Sequence, residues 1–161
     1  MILIAAGSSL PFNRIDSQQI VLSAFFALGR LVRLDAVSAL YETTAWPDPS
    51  DPPFVNAVAA ISTDMSAKAL LQGLHAVEAG FGRRRDVRNA PRTLDLDLLA
   101  YGCKQSGEDT SIQLPHPGIE DREFVLAPLC DIAPGWRHPV LGKTAAEMLA
   151  ALPARTARKI A

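Results

Sequence analysis

The order of apolar patterns along the chain predicts an α+β fold. It reads β-α-β-β-α-β with a mainly antiparallel sheet, the ferredoxin-like or split βαβ arrangement, followed by a C-terminal hairpin and short helices. Three observations predict it. Four runs have strand character: "MILIAA", "LDAVSALYET", "FVNAVAAIST" and the stretch from Thr93 to Tyr101. Two apolar stripes at helical spacing follow the first and third of these runs. The segment "AWPDPSDPP", residues 45–53, holds four prolines and separates the two middle strands, because proline cannot continue a central strand. The two helices should cover one sheet face and the C-terminal extension part of the other, giving α/β/α layers.

Each element has a local reason. "MILIAA" is an apolar run of strand length that ends at Gly7, and "GSSLPFN" is the turn after it. Val21, Phe25, Leu28 and Val32 form one face of the first helix. In "LDAVSALYET", Val37, Ala39 and Tyr41 fall on one side. In "FVNAVAAIST", Phe54, Asn56 and Val58 face one way and Val55, Ala57 and Ala59 the other. Ser66 is placed to cap a helix whose stripe is Leu70, Leu74, Val77 and Phe81, and Gly80 and Gly82 mark its end. Beyond the fourth strand, "CKQSGEDTSIQL" reads as a hairpin and short helices fall near residues 124–131 and 144–151. "LPARTARKIA" reads as a peripheral tail.

With 161 residues the chain suits a single domain over 1–161. Its formal net charge of −1 excludes a global field favouring nucleic acid or anionic lipid, so any anion site must be local. The N-terminal apolar run is shorter than a signal-peptide core and has no basic lead. No apolar run reaches the ~20 residues of a membrane span. Cys103 and Cys130 lack metal-type spacing and suit a reducing compartment, so the expected location is cytoplasmic.

Chemistry concentrates in "NAPRTLDLDLLAYG". Side chains two apart on a strand point the same way, roughly 6.6 Å apart along it. Leu94, Leu96 and Leu98 therefore face the core, and Asp95 and Asp97 share the opposite face. Two such carboxylates either form a solvated acidic face or hold a hard cation such as Mg²⁺, which takes one or two carboxylates plus phosphate and water. Arg83, Arg84, Arg85, Arg88 and Arg92 fall within ten residues just upstream. Such a loop is either simply solvated or reads phosphate bidentately. Together the two features suggest a nucleoside triphosphate. "GKT" at Gly142–Thr144 is no Walker A motif, because Arg137 stands where the first glycine is needed. His116, between prolines in "LPHPGI", can donate to phosphate, ligate a metal or cap a turn. Asn56 is either a structural pin or a reader of a heterocycle edge, with the aromatic Phe54 on the same face.

"PRTLDLDLL", preceded by "FVNAVAAI" and followed by "LPHPGIEDREFVLAPL", resembles the hydroxymethyldihydropterin pyrophosphokinases of folate biosynthesis, and the likeness runs from "AAGSSL" to "DIAP". The resemblance implies a ferredoxin-like fold and transfer of pyrophosphate from ATP to the pterin hydroxymethyl group, releasing AMP. It implies that Asp95 and Asp97 hold two Mg²⁺ ions, that Arg92, His116 and Arg122 contact phosphate oxygens, and that Arg83 and Arg85 are lid-loop arginines. Asp97, Arg83, Arg85 and Arg92 would be the catalytic set. Glu78 and His75 would lie near the nucleotide. Asn56 would read the pterin edge between Phe54 and Phe124, with Thr43, Ala45 and Trp46 lining the pocket and Gly7 and Ser8 in a closing loop. Asn89, Pro117, Phe54 and Thr44–Ala45 differ from the residues frequent in that family. The implied partners are the two small-molecule substrates, with no nucleic acid, no membrane and a monomer favoured. Two alternatives stay open: a sheet-face RNA-binding module, and a family member that binds its ligands without catalysis.

Overall fold

A computed structural model describes residues 1–45, 49–83, 93–106, 112–153 and 155–160. The elements run β1 (Ile2–Ser8), α1 (Ser17–Leu28), β2 (Arg33–Val37), β3 (Tyr41–Thr43), β4 (Phe54–Ser62), α2 (Ala67–Gly80) and β5 (Asp95–Tyr101). A 3-10 turn over Ile119–Asp121, α3 (Glu123–Ile132), α4 (Ala145–Ala151) and β6 (Arg158–Lys159) complete them. The sheet order is β5-β1-β4-β3-β6, with β2 also pairing β4, and every strand pair is antiparallel. That is the split βαβ order, with β4 between β1 and the β2/β3 edge.

Alternation along β4 and β1 divides the core in two. Ile4, Ala6, Val55, Ala57 and Ala59 join Leu94, Leu96 and Leu98 against Val21, Phe25 and Leu28 of α1 and Leu70 and Leu74 of α2. On the other face Leu3, Val58, Ala60 and Leu99 pack against Val125, Leu126 and Leu129 of α3 and Met148 of α4. The chain thus has the expected α/β/α layers. Ser66 caps α2 by accepting from the Ala69 N–H at 3.2 Å, and Gly82 follows its end with φ +73°. Thr144 of the false "GKT" motif caps α4 in a reciprocal capping box with Glu147.

Three expectations need correction. "LDAVSALYET" is two strands, because Ser38 breaks the ladder. Its N–H donates to the Val58 carbonyl at 2.9 Å, but the Val58 N–H is taken at 3.0 Å by the Ser38 hydroxyl rather than by a backbone carbonyl. The alternation read through Val37, Ala39 and Tyr41 is therefore interrupted. Helix α1 ends at Leu28, so Val32 is buried from the turn beyond it. In "CKQSGEDTSIQL" the Ser106 N–H donates to the Leu114 carbonyl at 2.8 Å, and residues 107–111, where the hairpin turn is expected, lie outside the described residues. The C-terminal tail carries β6, which adds to the edge of β3. Among the described residues no helix is long and apolar enough to cross a membrane.

Candidate active site

Strand register puts the site together. Asp95 on β5, Gly7 on β1, Asn56 on β4 and Tyr41 on β3 are cross-strand neighbours in one row. Asp97, Ala5 and Val58 form the next row. Directly paired residues project to the same face, so both aspartates and Asn56 rise from the face that α3 and α4 cover only in part. The residues between them on β1 are Gly7 and Ala5, too small to fill the space. A cavity of about 710 Å³ results, with Thr43, Thr44, Phe54 and Asn56 at one end. Arg83, Asp95, Asp97, His116 and Arg122 lie at the other, and Phe124 and Glu123 border it from the start of α3.

The neutral end is held by short contacts. Asn56 is buried and its Nδ2 donates to Thr43 Oγ1 at 2.9 Å. A Cβ at Gly7 would lie 3.0 Å from Asn56 Oδ1 and 3.9 Å from the Phe54 ring, so glycine is what lets β1 pass this close to the amide.

The charged end is organised from β5 and two loops. A bulge in the β1–β5 ladder inserts Leu99: Leu3 pairs with Ala100 but Ile4 with Leu98. The Leu99 carbonyl accepts the His116 N–H at 2.7 Å and so draws the "LPHPGI" loop to the aspartates. His116 Nδ1 lies 2.8 Å from the Pro117 carbonyl, which can only accept, so Nδ1 carries a proton. Nε2 then faces Asp97 Oδ1 at 4.0 Å, as a lone pair on the neutral ring and as a donor on the protonated one. Gly118, at φ +80°, brings the next turn under Arg122, where a Cβ would meet the Arg122 Nε at 3.4 Å. The guanidinium lies 5.8 Å from the centre of the Phe124 ring.

The Asp97 carboxyl is pushed above the usual carboxylate range. Burial is the larger cause and the charge of Asp95 the second, with His116, Arg122 and Arg83 acting against them. It sits at the floor of a concavity with 38% of its side-chain surface accessible, so surrounding protein displaces much of its water without closing it off. Arg83 pairs with Asp95 and also with Glu78, whose Oε1 accepts the Leu96 N–H at 2.7 Å. Glu78 is thus a buried anchor behind the aspartates, away from the cavity wall.

Of the residues singled out from sequence, Gly7, Thr43, Phe54, Asn56, Arg83, Asp95, Asp97, His116, Arg122 and Phe124 line the one cavity. Ala45, Ser8, Glu78 and His75 do not: Ala45 and Ser8 are buried, and His75 is half-buried on α2. Trp46, Arg85, Asn89 and Arg92 lie outside the described residues. Sequence reasoning missed Ala5, Ala6, Asp121 and Glu123, and named Thr44 only as a departure from the family pattern. Ala5 was reachable, since period two from Gly7 places it on the same face. Glu123 carried no signal, because its position depends on a 3-10 turn and a distant tail.

A ferredoxin-like sheet with two carboxylates at one end of its cavity and a buried amide at the other has the features of a small-molecule-binding domain. The family model for 7,8-dihydro-6-hydroxymethylpterin-pyrophosphokinase matches residues 3–134. The chain belongs to that family. It is 42% identical over 152 residues to a 2-amino-4-hydroxy-6-hydroxymethyldihydropteridine pyrophosphokinase of Pseudomonas aeruginosa, covering 94% of this chain and 91% of that protein. A protein of the same description from Methylorubrum extorquens is 40% identical, with 75% of each chain covered. The fold also matches a crystal structure described as HPPK-DHPS in complex with substrates, at a TM-score of 0.68 and 13% identity. That match covers 93% of this chain and 43% of the other, so this chain spans less than half of that longer protein.

Proposed function

We propose that this chain transfers the pyrophosphoryl group of ATP to the hydroxymethyl group of 6-hydroxymethyl-7,8-dihydropterin, giving the pterin diphosphate and AMP in folate biosynthesis. The observation that carries the reading is the joint placement, in a chain of this family, of Asp95 and Asp97 at one end of a cavity and Asn56 at the other. The neutral end suits the pterin: Asn56, oriented by Thr43, offers an amide to a heterocycle edge, and Phe54 and Phe124 offer ring faces. The charged end suits the triphosphate: Arg83, His116 and Arg122 line it, and Arg85 and Arg92 would add to them as the family resemblance implies.

The aspartates fit Mg²⁺. They are two hard oxygen donors on one face, and among the described residues no group of three His, Cys, Asp or Glu could hold a metal by itself. Such a pair matches an ion that draws its other ligands from phosphate and water, and a cation would relieve the repulsion and burial that raise Asp97. When bound, Mg²⁺, two ions in this reading, supplies charge neutralisation along the triphosphate and at the attacking oxygen. The pterin oxygen forms a bond to the β-phosphorus, the bond from that phosphorus to the α-phosphate oxygen breaks, and the hydroxyl proton is released. The protein's own residues contribute position and polarity: Asn56 and Phe54 would hold the acceptor, and Arg122 and His116 the departing and transferred phosphates.

Incubation with ATP, Mg²⁺ and the pterin tests this. AMP should form only when the pterin is present. No AMP at any enzyme concentration sinks the reading and leaves a ligand-binding protein. Salt-sensitive binding of a single-stranded oligonucleotide that outcompetes ATP would favour the RNA-binding alternative.

A further inference from the structure

The tail after α4 lies beyond residues 3–134, the part matched by the family model, yet it returns to the neutral end of the cavity. Arg158 and Lys159 pair with Glu42 and Tyr41 of β3, and the Ile160 N–H donates to the Leu40 carbonyl at 2.9 Å. Glu123, at the cavity edge, gathers the same tail. Its Oε2 accepts from the Thr156 N–H at 2.7 Å, the Thr156 hydroxyl at 3.1 Å and the Ala157 N–H at 3.1 Å. Arg158 reaches Glu42 at 2.6 Å, and Lys159 reaches Asp131 at 3.1 Å, where Tyr41 also donates at 3.0 Å.

Strand β3 has three residues and, among the described residues, is otherwise paired only with β4. A strand this short has little stability of its own. It nevertheless carries Thr43, the acceptor that orients the Asn56 amide. We infer that the C-terminal strand and Glu123 are positioning elements for the acceptor end of the cavity: they clamp β3 from its outer edge, fix Thr43 and thereby set the Asn56 amide. Glu123 acts through the tail. Its carboxylate faces three donors and is held in place by them rather than presented to a ligand.

The inference rests on the pterin reading for its kinetic arm but not for its structural arm. Deleting residues 154–161 should accelerate backbone amide exchange over Tyr41–Thr43 while leaving β1 and β5 protected. The KM for the pterin should rise about tenfold, the scale of a sub-ångström misplacement, with the KM for ATP unchanged. Glu123→Ala should move the same two quantities in the same direction. Glu123→Gln, which keeps an acceptor oxygen but loses the charge, should move both quantities less than Glu123→Ala. Unchanged exchange over β3 in the truncated protein overturns the clamp, whatever the activity. A parallel rise in both KM values with a fall in Tm overturns it too, since that marks general destabilisation. If the intact protein makes no AMP, the proposed reaction fails, and the exchange measurement still decides the clamp.

Discussion

The two ends of the cavity are built on opposite principles. At the neutral end Thr43, Phe54 and Asn56 stand on strands, and Asn56 is buried, bonded to Thr43 and approached closely by Gly7. At the charged end the groups stand on β5 and on loops, and their charges are unbalanced. Asp97 is raised by its own burial and by Asp95, and Arg83 is turned inward to Asp95 and Glu78. A preformed amide recognises shape and hydrogen-bond pattern at little reorganisation cost. The acidic pair is only partly offset, Asp95 by Arg83 and Asp97 by the more distant His116 and Arg122, and in the proposed reading a cation completes it. The contrast predicts that changes at the charged end act on turnover and those at the neutral end on acceptor affinity.

The largest effect should come from Asp97→Asn. Turnover should fall by at least ~10²-fold, as expected if Asp97 organises charge at the proposed metal site. Stability should move the other way. A carboxyl raised in the folded state favours folding while protonated, and that contribution is lost as pH rises through its folded value. The metal-free variant should therefore melt higher than the wild type at neutral pH, with the gain disappearing below the ordinary aspartate value of 3.8. A lower Tm at pH 7 would show that Asp97 stabilises the fold instead. Adding Mg²⁺ should raise the Tm of the wild type but not of the variant.

Asn56→Ala should come next. Loss of a buried hydrogen-bonding group costs about 1–3 kcal/mol, and in this reading it appears as weaker pterin binding with ATP binding intact. Equal weakening of both ligands, measured by calorimetry, would break the division between the two ends. Gly7→Ala should act in the same direction but less, because the added Cβ meets Asn56 Oδ1 at 3.0 Å and the side chain can give a little. A kcat loss without a KM change at Gly7 would instead place it with the charged end. The smallest effect is a control remote from both ends. Thr144→Ala removes the α4 cap, costing about 1 kcal/mol of stability by denaturant titration, and should leave both kinetic constants unchanged.

Period and composition made much of this legible. The leucine alternation in "TLDLDLL" alone places Asp95 and Asp97 on the face opposite α1 and α2, whose stripes show which face those two helices take. Asn56 and Phe54 share a face by the same rule. What periodicity could not reveal depends on breaks in it. The Ser38 hydroxyl interrupts one strand by substituting for a carbonyl. The Leu99 bulge frees a carbonyl that captures His116. Neither breaks the apolar pattern enough to be seen along the chain.

The sequence by itself determined the α+β class, the strand that carries the aspartates and the family, because alternation and a short dense motif are local properties. Tertiary structure alone decided that Glu78 sits behind the aspartates as an anchor. It also decided that small residues on β1 open the space between the two ends, and that the tail is a strand. Each of these depends on which segments, far apart in the chain, become neighbours. A tail with three basic residues near its end reads as solvated until β3 offers it an open edge and Glu123 and Asp131 offer it partners.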